Sequence, residues 1–264
     1  VGQTIACANQ KGGVGKTTTV VNVAAYLAAD GARVLVVDLD PQGNATSGLG
    51  AARAPEGRSV YDALVNDVPL GDLAGPTATP GLDLIPSSIA LAGAEVELAG
   101  VTQRERRLAR ILPTVSSGYD FVFLDCPPSL GLLTVNALTA ADAVLVPLQC
   151  EYYALEGLSQ LIATIHLVRD HLNPGLAVNG IVLTMYDART NLASEVAAEV
   201  RRHLDGAVYD TIVPRSVRLA EAPSHGRPIA HYAPESRGAT AYRELAVELR
   251  ARATAAGAAA GSVA

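Results

Sequence analysis

The chain has 264 residues, 20 Lys and Arg against 26 Asp and Glu, a net charge of −6, and 49% hydrophobic but only 4% aromatic residues. Such a length fits one large α/β domain or at most two small ones, and such a charge excludes a uniformly basic nucleic-acid binder while leaving room for a local basic patch. No apolar run approaches a membrane span, no secretory signal is expected, and Cys7, Cys126 and Cys150, odd in number and set in or beside apolar runs, read as reduced, buried thiols of a cytoplasmic protein.

In chain order, residues 4–8 read as a first strand, followed by a glycine-rich loop. A helix is expected over 16–29, with Val20, Val23, Ala24 and Leu27 at helical spacing and Asp30-Gly31 ending it. Residues 33–39 form a near-continuous apolar run, the pattern of a strand buried on both faces. A Gly/Asn/Ser-rich loop over 40–50 leads into a less regular region reaching about residue 80. Strands are expected at 82–86, 119–124, 143–148, 178–185 and 208–213, and helices at 103–112, 132–140, 155–172, 192–204 and 240–252. The Ala/Gly/Ser-rich tail, 253–264, is expected to be frayed or flexible, which leaves 1–252 as a single domain. Alternating strands and helices imply an α/β fold, a mostly parallel twisted sheet with helices on both faces.

The chain has two lysines, and both lie in the first loop, Lys11-Gly12-Gly13-Val14-Gly15-Lys16-Thr17-Thr18. A phosphate loop reads G-x-x-x-x-G-K-[ST] between a strand and a helix. Gly15-Lys16-Thr17 supply its end in the right context, while Gln10 stands where the first glycine would be. The chemistry needs these types: glycines let backbone N–H groups converge on phosphate oxygens, and the helix N-terminus adds partial positive charge. Lys16 can reach the β- and γ-phosphates, the Thr17 hydroxyl can ligate Mg²⁺, and Thr18 is placed for the α-phosphate. A P-loop NTPase fold follows. Asp125, closing an apolar strand, is placed to hold Mg²⁺ directly or through water. Asp38 and Asp40 both end the second strand on the same side, and pattern alone does not choose between them.

Lys11-Gly12-Gly13-Val14-Gly15-Lys16-Thr17-Thr18 resembles the deviant phosphate loop of the ParA/MinD family of ATPases. Asp38-Leu39-Asp40-Pro41-Gln42-Gly43-Asn44 and Asp125-Cys126-Pro127-Pro128-Ser129 are similar to its two switches. The segments 91–95, 149–157, 184–190 and 213–224 extend the likeness, over nearly the whole chain, to chromosomal ParA (Soj-type) partition ATPases. The resemblance implies Mg²⁺-dependent ATP hydrolysis, slow without a partner, and an ATP-induced homodimer in which Lys11 touches the other subunit's phosphates. It implies that Asp40 orients or activates the attacking water, with Asp38 structural, and that Pro214, Ser216 and Met185 lie near the adenine. Lys11, Gly12, Gly13, Val14, Gly15, Lys16, Thr17 and Thr18 become the phosphate-binding set, with Thr17 and Asp125 for the metal.

The resemblance further implies nonspecific double-stranded DNA binding in the ATP state, release on hydrolysis stimulated by a ParB-like protein, and a nucleoid-associated cytoplasmic location. Arg189, Arg218 and Arg227 are the candidate DNA contacts, with Arg215 and Arg237 behind them. Arg104, Arg106, Arg107 and Arg110 read as a solvated helix face. The chain starts almost at the first strand, so no operator-binding helix-turn-helix extension is expected. The tail has neither the bulky apolar nor the basic residues of a MinD-like membrane helix, and no stable membrane association is expected. Cys126 has no second cysteine near it in sequence, which argues against an iron–sulfur carrier of the same superfamily.

Overall fold

The computed structural model describes residues 2–52, 54, 57–151, 154–204 and 206–261. Strands β1 (Gln3–Cys7), β2 (Val34–Asp38), β3 (Gly75–Pro76), β4 (Leu82–Ile85), β5 (Phe121–Asp125), β6 (Ala143–Gln149), β7 (Ala177–Tyr186) and β8 (Val208–Pro214) form one eight-stranded sheet in the order β3-β4-β2-β5-β1-β6-β7-β8. Every pairing is parallel except that of β3 with β4. The helices that flank this sheet include α1 (Lys16–Ala29), α2 (Asn44–Gly48), α3 (Leu132–Ala140), α4 (Ala154–His171), α5 (Asn191–His203), α6 (Val217–Glu221) and α7 (Arg237–Gly261).

Period-two alternation along the central strands feeds two separate cores. Ala6, Ala8, Leu35 and Val37 face the core closed by Leu133, Leu138, Leu161, Ile165 and Val200 of α3, α4 and α5. Ile5, Cys7, Val34 and Val36 face the core closed by Val20, Val23, Leu27, Tyr242, Leu245 and Leu249 of α1 and α7. Both faces are therefore apolar, which is why β2 and β5 read as unbroken hydrophobic runs. Among the described residues no helix is long and apolar enough to cross a membrane.

Four features depart from the sequence expectations. The loop after β2 contains helix α2, entered through Gly43 in the left-handed region at φ +66°. Residues 60–65, within the region expected to be irregular, form a short helix whose Ser59 N–H donates to Asp62 at 2.9 Å. That reciprocal cap had a sequence signature, Ser-x-x-Asp, ahead of an apolar pair. The expected helix over 103–112 is instead a 3₁₀ turn, Arg104–Arg106, continued by an α-helix, Arg107–Ile111. Its arginines are partly tied down: Arg107 donates to the Leu64 carbonyl and Asp67, and Arg106 to the His171 carbonyl. The last helix starts at Arg237 and continues to Gly261, beyond the end expected near residue 252.

Candidate nucleotide site

Parallel register brings three strand ends together. Cys7 of β1 and Asp38 of β2 both lie opposite Asp125 of β5. The phosphate loop leaves β1, the Asp38–Asp40 turn leaves β2, and Asp125 closes β5, so their side chains share the carboxyl end of the sheet, where open α/β sheets take ligands.

The loop is pinned from both flanks. Asn9 Nδ2 donates to the Pro147 carbonyl at 2.8 Å while Asn9 Oδ1 accepts from the Lys11 N–H at 3.0 Å. Val14 is buried, and its carbonyl accepts from Thr184 Oγ1 at 2.8 Å. Gly15 caps α1 at φ +91°, a conformation that costs an L-residue about 1–2 kcal/mol, so glycine is required there. The first turn of α1 carries no acid to neutralise its N-terminal charge. Lys16 is buried, and its Nζ donates to the Lys11 carbonyl at 3.1 Å, holding the ammonium over the loop.

Thr17 Oγ1 donates to Asp125 Oδ2 at 2.8 Å, while Asp125 Oδ1 is buried without a partner among the described residues. Burial pushes the Asp125 carboxyl well above the usual carboxylate range, and the neighbouring Asp38 adds to the shift. An orphaned carboxylate oxygen beside a hydroxyl fits a hard divalent cation that takes few protein ligands and completes its shell with phosphate and water oxygens, as Mg²⁺ does. No cluster of three or more His, Cys, Asp and Glu residues exists among the described residues to form an all-protein cage.

The structure separates the two acids after β2. Asp38 is consumed internally: Oδ2 accepts from Thr46 N and Thr46 Oγ1, both at 2.7 Å, and Oδ1 from Asp40 N at 3.1 Å. Burial pushes the Asp38 carboxyl up to about 6, against those hydrogen bonds, and Asp40 nearby adds to the shift. Asp40 lines a cavity of about 420 Å³ together with Gly12, Gly13, Gly15, Lys16, Thr17 and Thr18. A second cavity of about 110 Å³ shares Gly15, Thr18 and Met185 with the first and continues along Thr184, Pro214, Ser216 and Tyr242. Met185, Pro214 and Ser216, the adenine candidates, therefore meet in one apolar recess next to the phosphate loop. Met185 sits at φ +49°, a strained conformation for a non-glycine residue and one that clusters at functional sites.

Lys11 is not part of the wall of its own cavity. Its Nζ pairs with Glu151 Oε2 at 2.5 Å, both side chains being about 40% exposed. Of the quoted segment 149–157, Tyr152 and Tyr153 lie outside the described residues. Arg189 and Arg218 are exposed and each is paired locally, Arg189 with Asp187 at 2.7 Å in the turn after β7 and Arg218 with Glu221 at 2.9 Å within α6. The Arg189 hydrogen bonds hold the Asp187 carboxyl down at about 2. Arg227 instead lines the 420 Å³ cavity. Asn22, Gln42, Asn44, Ser47 and Pro128 also line it and were not singled out from sequence; Gln42 and Asn44 stood inside the first switch motif, while Asn22 and Ser47 carried no signal. Cys7, Cys126 and Cys150 are free and buried, and burial pushes the Cys150 thiol up to about 11.

An AAA domain family model matches residues 2–178. The chain is 57% identical over 251 residues to the sporulation initiation inhibitor protein Soj of Bacillus subtilis, covering 95% of this chain and 99% of that one. It is 53% identical over 254 residues to the chromosome partitioning protein ParA of Myxococcus xanthus, covering 96% and 90%. Among solved structures, cobyrinic acid a,c-diamide synthase from Mycobacterium smegmatis, with a bound ATP analogue and magnesium, superposes with a TM-score of 0.81 at 41% identity, covering 93% of each chain. A pinned phosphate loop with its lysine, an orphaned metal-side carboxylate and identity above one half across nearly the full length converge on one assignment: the chain belongs to the ParA/Soj family of chromosome-partitioning ATPases.

Proposed function

We propose that this chain is a DNA-partition ATPase whose ATP-bound homodimer holds nonspecific double-stranded DNA and lets go on hydrolysis, with a ParB-like protein stimulating turnover. The observation that carries the reading is the convergence of Lys16, Thr17 and Asp40 on one cavity, with Asp125 behind Thr17 and Lys11 turned away from it. Higher identity to the partitioning proteins, 57% and 53%, than to the synthase, 41%, favours partition over amide synthesis.

In this reading Gly12, Gly13, Val14, Gly15 and Thr18 hold the phosphates through backbone N–H groups, and Lys16 offsets their charge. Thr17 and Asp125 would hold Mg²⁺, which when bound would supply positive charge beside the phosphates. Asp40 positions the attacking water: its Oδ1 accepts from the Gln42 N–H at 2.9 Å, and its second oxygen has no hydrogen-bond partner among the described residues. Lys11 completes the partner's site, supplying positive charge where the transition state concentrates negative charge.

The deciding experiment is ATP turnover with and without nonspecific DNA and a ParB-like protein. Stimulation is expected from both; turnover indifferent to both would sink the partition reading.

For DNA, Arg189 and Arg218 form the proposed face. Replacing both by Glu is expected to abolish ATP-dependent DNA retention while leaving nucleotide affinity unchanged, read by filter or gel-shift binding at saturating ATP. The intramolecular pairing of Arg189 with Asp187 supplies a converse expectation. Asp187→Asn frees a cation for DNA phosphate and is expected to raise DNA affinity by roughly two- to fivefold at low salt, the gain vanishing as salt rises.

A further inference from the structure

Arg227 occupies a place that its neighbours in sequence do not. Arg218 has Glu221 and Arg189 has Asp187, but Arg227 makes no ion pair among the described residues, and it lines the 420 Å³ cavity. Among the described residues, Asp40 is the one acid in the wall of that cavity and Lys16 the other cation. An exposed arginine without an ion pair among the described residues, lining a space shared with three glycines, a lysine and two threonines, suits a ligand rich in phosphate oxygens, which its fork of N–H groups can bind two at a time.

The position of Arg227 is fixed from both sides, and one of the anchors, Asn22, itself lines the cavity. On one side, Gly226 turns at φ +61° and rests directly on Gly50, just past α2. A Cβ on Gly226 would stand 2.9 Å from the Gly50 Cα, and one on Gly50 would stand 2.8 Å from the Gly226 carbonyl, so only two glycines allow the backbones this close. On the other side, the Ile229 N–H donates to Asn22 Oδ1 at 2.6 Å, and Asn22 Nδ2 donates to the Thr18 carbonyl at 2.7 Å within α1. Arg227 thus hangs between the end of α2, a helix that starts where the first switch segment stops, and the helix that begins in the phosphate loop.

We propose that Arg227 is a nucleotide-binding residue of its own subunit, gripping the phosphate chain from the wall opposite the loop, and is not a DNA contact. The proposal rests on the nucleotide reading given above. Titration of Mg²⁺ and ADP into the full chain by calorimetry tests it without requiring the dimer. Arg227→Ala is expected to weaken ADP roughly tenfold, the loss of one charge-assisted contact, and Arg227→Lys to fall between it and the unaltered chain. DNA affinity at saturating ATP and its dependence on salt are expected to be unchanged in Arg227→Ala, whereas Arg218→Ala lowers the salt slope by about 1. An ADP affinity within twofold of the unaltered chain in Arg227→Ala overturns the proposal, as does a reduced salt slope with ADP binding intact. If the unaltered chain takes no ADP, the nucleotide reading itself falls and the proposal falls with it.

Discussion

Asp40→Ala is expected to cut ATP turnover by at least about 100-fold while leaving ATP affinity within a few-fold, because general acid–base positioning contributes to the transition state and little to ground-state binding. Single-turnover hydrolysis and equilibrium ATP binding separate the two quantities. The structural ground is the contrast between neighbours. Asp38 spends both oxygens on Thr46 and the Asp40 N–H and never reaches the cavity, whereas Asp40 lines it with its carboxylate oriented by Gln42. The control is therefore Asp38→Asn. It disturbs the anchor of α2, and its effect should appear first in the melting temperature, since a buried acceptor of two hydrogen bonds from Thr46 is replaced by a group that can accept with only one oxygen. If Asp38→Asn stopped hydrolysis at unchanged stability and Asp40→Ala did not, the roles of the two acids would be exchanged.

Much of this site was legible in the sequence because its chemistry is local. Lys11, Gly15, Lys16 and Thr17 fall within seven residues, and the strand before them and the helix after them carry strong apolar patterns. Asp125 could be read because a buried strand ends on it. Helix α2 could not, because Asn-Ala-Thr-Ser-Gly is a poor helix former on its own; it is held by the buried Asp38–Thr46 hydrogen bonds and by the left-handed entry at Gly43. The place of Arg227 was hidden for a different reason. It depends on the Asn22–Ile229 hydrogen bond, which spans 207 residues, and on a glycine-to-glycine backbone contact, neither of which leaves a periodicity or a motif. The choice between Asp38 and Asp40 lies between these cases: both were visible, the pattern of side chains left them equivalent, the resemblance favoured Asp40, and the hydrogen bonds of the fold supply a physical reason for that preference.

Lys11→Ala is expected to lower partner-stimulated turnover by about 1,000-fold, the scale on which a cation supplied from a second subunit acts in phosphoryl transfer. In a single subunit Lys11 leans away from its own cavity onto Glu151. That pair is about 40% exposed on both sides, so it is worth about 0–1 kcal/mol and, in the proposed dimer, would be readily exchanged for the far stronger field of a triphosphate on the other subunit. Whether the lysine acts across the interface is decided by mixing two inactive variants, Lys11→Ala and Asp40→Ala. In a mixed dimer, the site built on the first subunit keeps Asp40 and receives Lys11 from the second, so one of its two sites is whole. With random pairing, half of the dimers are mixed, and about one quarter of full activity is expected to return. A lysine acting only within its own subunit gives no recovery, because neither subunit then carries both groups. Restored turnover therefore reports the geometry of the assembled site and not merely that Lys11 matters.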